Sequence, residues 1–99
     1  MRWIAIFTDN PGALAIREAQ AEAHFDYLEK YRTQIRLAGG VRDEPGGPPD
    51  GGLWIMDNIA DRAEAVRLCE GDPFFVAGLR QSYVLKAWGF APCYADVAL

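Results

Sequence analysis

His24 is the only histidine in the chain, and it stands in a segment whose apolar residues recur every three or four positions. Leu28, Tyr31 and Ile35 follow it at i+4, i+7 and i+11, so a helix here turns the imidazole toward a sheet or a cleft. Histidine is the side chain whose unperturbed titration lies near neutrality, and a small push from its surroundings poises it as a general acid or base. On spacing alone a hydrogen-bonded structural histidine is the simpler reading. Asp72 precedes Pro73, the pattern of an N-cap followed by proline at the first helical position. The same carboxylate has a second use if it meets the His24 ring: it fixes which nitrogen carries the proton and stabilises the imidazolium. No activated nucleophile competes with these two. Ser82, the one serine, falls in a predicted strand, and Cys93 lies in a tail without basic neighbours. Cys69 and Cys93 form no C-x-x-C pair, and with one histidine they are too few soft ligands for zinc, so no metal, disulfide or other cofactor is expected.

These residues need elements to position them. Arg2–Thr8 is a β-branched and aromatic run closed by the turn cluster Asp9-Asn10-Pro11-Gly12, a first strand. Ala13 to Ala38 lacks Gly and Pro and is rich in Ala, Glu, Gln, Leu and Arg, which predicts one long helix with Ala21, Phe25, Leu28, Tyr31 and Ile35 on its apolar stripe. Gly39-Gly40 is expected to end it, and Val41–Glu44 to make a short second strand. The run from Pro45 to Gly52 reads as a flexible loop, because it carries Asp50 and lacks the G-K-[ST] ending of a phosphate cradle. Leu53–Met56 is a third strand. Asp61 and Glu64 have capping-box spacing at the start of a second helix, which Gly71 is placed to end in the left-handed conformation. A short helical turn follows through Phe74, Phe75, Val76 and Leu79, and Ser82–Trp88 is a fourth strand. The order predicts an α+β fold of the ferredoxin-like plan, an antiparallel sheet with helices on one face. Both faces of the sheet are apolar while two helices cover one, so a sheet-to-sheet homodimer of the α/β barrel type is expected.

A chain of 99 residues is the size of one domain, and 51% hydrophobic with 24% charged residues is a globular composition. Residues 1–88 are expected to form that domain, and residues 89–99 a tail docking on it or on a partner subunit. Ten Lys and Arg against fourteen Asp and Glu leave a net charge of −4, which repels nucleic acid and anionic membrane surfaces. No apolar run approaches the roughly 18 residues of a membrane span, and the start is too short for a signal segment, so a cytoplasmic location is expected.

His24-Phe25-Asp26-Tyr27-Leu28, Gly39-Gly40, and Gly71-Asp72-Pro73-Phe74-Phe75-Val76-Ala77-Gly78-Leu79 before a strand ending in Ala87-Trp88 together resemble the YciI-like (YCII-related) proteins. The resemblance implies a ferredoxin-like dimer in which a histidine and an aspartate form a catalytic dyad, carried here by His24 and Asp72. One branch of that family is similar to enzymes that eliminate chloride from hydroxylated aromatic or hydroquinone substrates. Two departures, the Gly and Pro loop at 45–52 and the aromatic tail after Trp88, are expected to border the pocket.

The resulting expectation is a small-molecule enzyme of the lyase or isomerase type. His24 moves a proton on a cyclic or aromatic substrate, Asp72 orients the ring, and Tyr27, Tyr31 and Phe74 contact the ligand. The alternatives are a non-catalytic small-molecule-binding or regulatory dimer, and an interaction module docking another protein through its open sheet face.

Overall fold

The structure, a computed structural model, describes residues 1–99. Strand β1 (Trp3–Asp9) is followed by helix α1 (Leu14–Lys30), strands β2 (Ile35–Val41) and β3 (Gly51–Met56), helix α2 (Arg62–Gly71), the single-turn helix α3 (Pro73–Val76) and strand β4 (Arg80–Ala87). A 3-10 turn at Pro92–Tyr94 completes the chain. The sheet order is β2-β3-β1-β4 with every pair antiparallel, which is the ferredoxin-like α+β plan.

Alternation along β1 sends Trp3, Ala5 and Phe7 to the helix-covered face, where they meet Trp54, Met56, Leu85 and, from α2, Ala65, Leu68 and Cys69. Full burial of each large apolar side chain contributes about 1.5–3 kcal/mol, and Phe7 and Trp54 add an edge-on ring contact at 4.9 Å. On the other face Ile4 lies across from Ile55, and Ile6 across from Leu53 and Val84. Ile6, Leu37 and Val84 are about half exposed there.

The long helix predicted to Ala38 is corrected. It ends at Lys30, and a turn through Tyr31–Gln34, closed by Gln34 N–H and Ile35 N–H donating to the Tyr31 carbonyl, redirects the chain. The reason is tertiary: β3 is apolar on both faces and needs a partner on the side away from β1. Ile35–Val41 supplies it, burying Ile35 beside Met56. The second strand is therefore Ile35–Val41 rather than Val41–Glu44, and Gly39-Gly40 lies inside it. Gly51-Gly52, assigned to the loop, opens β3 instead. Phe25 leaves the predicted stripe and is largely exposed, while Tyr27 packs against the core in its place.

Asp61 caps α2, accepting from Glu64 N–H at 2.9 Å. Glu64 does not reach back; its carboxylate accepts from Gln34 Nε2. Gly71 does not take the left-handed conformation and is the last residue of α2. Its lack of a side chain serves a close approach, because a Cβ there would stand 2.9 Å from the Tyr27 hydroxyl. Beyond β4 the tail folds back through Phe90, which lies 3.8 Å beneath the Arg2 guanidinium and edge-on to Trp88. No helix is long and apolar enough to cross a membrane.

Candidate active site

His24 is the one buried residue of α1. Helix α2 ends at Gly71, and the extended backbone of Asp72 both terminates it and caps α3. This corner carries the Asp72 side chain inward, where it is fully buried. Its Oδ1 accepts from the Phe74 amide at 3.2 Å, as an N-cap does, and lies 2.7 Å from His24 Nδ1. The cap therefore also holds the imidazole. Phe74, on the first turn of α3, stacks on the His24 ring with centroids 3.9 Å apart and planes 12° from parallel. One ring edge is fixed by the carboxylate and one face by the phenyl group. A carboxylate on Nδ1 sets the neutral tautomer with its proton on that nitrogen, leaving Nε2 as the bare, proton-accepting atom. Nε2 has no hydrogen-bond partner within the protein and is not sealed from solvent. Asp72 Oδ2 is sealed and has no hydrogen-bond partner.

The ring opens on a cavity of about 230 Å³ between α1, α3 and the β2–β3 end of the sheet. Trp54 and Phe74 give it apolar walls, and the exposed Phe25 stands at its rim. Gly40 lines it and pairs with Gly52 across β2 and β3 on the helix-covered face. A Cβ at Gly52 would meet the Arg80 guanidinium at 3.1 Å. Arg80 and Arg17 occupy this end, both held by Asp9: Arg17 Nη2 donates to Oδ2 at 2.6 Å and Arg80 Nη1 to Oδ1 at 2.7 Å. Burial pulls the Arg80 guanidinium below the usual arginine range, and the hydrogen bond and charge of Asp9 oppose that pull.

Of the five residues singled out in the sequence, the structure brings His24, Asp72 and Phe74 together. Tyr27 and Tyr31 lie elsewhere: they line a separate hollow with Gln34, Glu64 and Arg67, and the Tyr27 hydroxyl donates to the Leu68 carbonyl at 2.7 Å. Burial, with Tyr31 and Asp72 nearby, raises the Tyr27 phenol well above the usual range, so it stays a neutral donor. Neither the 45–52 loop, apart from Gly52 beneath Arg80, nor the tail borders the His24 cavity. The loop lines a larger acidic cleft with the Thr8–Leu14 turn. The sequence reading missed Arg17, Arg80, Asp9 and Trp54. One signal was present: Arg17 stands seven residues before His24 on the same helix face as Ala21 and Leu28, an unusual place for a charge.

The chain belongs to the YCII-related domain family, whose model matches residues 1–89. No functionally curated protein matches it in sequence. Among solved structures it is similar to 5-chloro-2-hydroxyhydroquinone dehydrochlorinase from Burkholderia phenoliruptrix, in complex with 2,5-dihydroxybenzoquinone. The TM-score is 0.83 at 27% identity, over 92% of this chain and 96% of that one. An antibiotic biosynthesis monooxygenase (TM-score 0.54, 20% identity, 92% and 98% covered) shares the fold. So does a dimeric protein of ferredoxin-like fold from Bacteroides fragilis (TM-score 0.51, 16% identity, 90% and 94% covered).

Proposed function

We propose that this protein is an acid–base enzyme of the lyase or isomerase type acting on a small, hydroxylated, planar ring. The observation that carries the reading is the buried pair His24 Nδ1 to Asp72 Oδ1 at 2.7 Å, with the opposite edge of the imidazole facing a cavity sized for a single ring. In this reading Nε2 accepts a proton from a substrate hydroxyl or ring carbon, and Asp72 stabilises the imidazolium. In an elimination the imidazolium returns that proton to the halide-bearing ring carbon, making it tetrahedral. A second ring hydroxyl then gives up its proton, and its electron pair moves through the ring to expel halide with its bonding pair, leaving a hydroxyquinone. In an isomerisation the proton returns at another atom. Phe74 keeps the imidazole in plane, and Trp54 supplies a flat apolar wall. The similarity to a dehydrochlorinase of a chlorinated hydroxyhydroquinone supports the same class of ring.

The test is chloride release from 5-chloro-2-hydroxyhydroquinone, followed with an ion-selective electrode for the wild type and His24→Gln. The expected result is release by the wild type, slowed by about 10²- to 10⁴-fold in the variant. A wild type that binds the ring without releasing chloride, or a variant as active as the wild type, overturns the lyase reading; binding without conversion is what a non-catalytic binder would show. The same proposal takes the chain as a homodimer through the open sheet face, on which Ile6, Leu37 and Val84 are exposed. A monomer by light scattering contradicts that part.

A further inference from the structure

Resting on the reading of His24 as the acid–base group, we propose that this cavity takes its ligand as an anion, with an ionised ring oxygen clamped between Arg17 and Arg80. The chain carries a net charge of −4, yet the cavity wall holds three arginines, Arg17, Arg42 and Arg80, and no carboxylate. The nearby acids lie behind the wall and are engaged, Asp9 by two guanidiniums and Asp72 by His24. Asp9 balances one of the two cations it touches, the buried Arg80 and the partly buried Arg17, and leaves the other without a counterion.

The donors are arranged to match. Asp9 gives one oxygen to each arginine, so each guanidinium is pinned by a single Nη. Arg17 uses Nη2, which also donates to the Gly51 carbonyl at 3.1 Å, and Arg80 uses Nη1. Arg17 Nη1 and Arg80 Nη2 have no acceptor in the chain, although the Arg80 side chain is only 2% exposed and that of Arg17 17%. Neither free donor is sealed, and both lie against the paired glycines: a Cβ would stand 3.8 Å from Arg17 Nη1 at Gly40 and 3.1 Å from Arg80 Nη2 at Gly52. Desolvated cations with unfilled donors favour an acceptor that brings negative charge, and a neutral hydroxyl supplies only the weaker half of that interaction. The ligand class is therefore a planar ring bearing an acidic oxygen, such as a hydroxyquinone or an electron-poor phenol. Asp9 is the positioning residue that holds the two guanidiniums apart.

Calorimetric titration with two probes of the same ring tests this. 2,5-Dihydroxybenzoquinone is ionised at neutral pH, and 2,5-dimethoxybenzoquinone cannot ionise. The wild type should bind the ionised ring roughly ten- to hundredfold more tightly. Arg17→Gln, a partly exposed position chosen so that the fold survives, should remove most of that preference, Arg17→Lys should restore part of it, and His24→Gln should keep it. Equal affinities in the wild type, binding of neither ring, or a preference undiminished in Arg17→Gln would overturn the proposal. Because nothing is turned over, failure of the clamp leaves the acid–base reading standing, and failure of the chloride-release test leaves the clamp standing.

Discussion

Asp72→Asn separates the two roles of one carboxylate. Both donors to Asp72, the Phe74 amide and His24 Nδ1–H, converge on Oδ1. An asparagine must therefore place its carbonyl oxygen there and its amide nitrogen in the sealed position of Oδ2, which has no partner. Asparagine caps helices about as well as aspartate, so α3 should persist. What is lost is the charge: a hydrogen bond to an ionised group is worth about 1.5–3 kcal/mol against about 1 for a neutral pair, a difference of about 0.5–2 kcal/mol. In a domain of this size that lowers the melting temperature by about 2–15 °C. Turnover should fall much further, by about 10²-fold or more, because a neutral amide does not stabilise the imidazolium formed when Nε2 takes a proton. Thermal melts and chloride release on the same preparation read both. A folded variant with wild-type turnover refutes the role given to the carboxylate, and collapse of the fold refutes the reasoning about the cap.

Tyr27→Phe removes the hydroxyl that donates to Leu68 and should cost about 1 kcal/mol of stability with turnover unchanged, since Tyr27 lines a different hollow. Its phenol is raised in the folded state, so the stabilisation it gives is complete below about pH 10 and lost as pH rises through the folded value. The alkaline limb of the wild-type stability curve should be steeper than that of the variant. Asp57 runs the other way: the Asn58 amide first, and Arg2 after it, hold its carboxyl below the usual range. The stability it contributes is present above about pH 4 and is lost as pH falls through the folded value, so Asp57→Asn should flatten acid unfolding followed by circular dichroism. Burial pushes the Cys69 thiol up to about 12, while Cys93 is exposed, so a thiol reagent should label one cysteine in the native protein and both after denaturation.

Local chemistry was legible where the deciding contact was local. Asp61 and Asp72 read as caps and are caps, and the alternation of Trp3, Ala5 and Phe7 set the buried face of β1. The boundary after Lys30 was not legible, because Ile35-Arg36-Leu37-Ala38 suits a helix or a strand, and the need of β3 for a neighbour decides between them. Gly39-Gly40 looked like a helix terminator for the same reason. Its role in the sheet depends on register with Gly52, which no spacing along the chain reveals. The arginine pair was hidden likewise: Asp9 was read as part of a turn cluster, and its partners Arg17 and Arg80 stand on a helix and at the start of the last strand. The inward face of His24 came from periodicity, whereas its contact with Asp72 joins two segments that only the tertiary fold aligns.

The proposed chemistry requires His24 to carry its proton on Nδ1, toward Asp72, with Nε2 bare and open to the cavity. As the only histidine in the chain, it gives one unambiguous set of imidazole nitrogen resonances in a long-range proton–nitrogen correlation spectrum. At a pH where the ring is neutral, the prediction is a protonated Nδ1 and an unprotonated Nε2, with the tautomer preference weakened in Asp72→Asn. A neutral ring protonated on Nε2 in the wild type would contradict it.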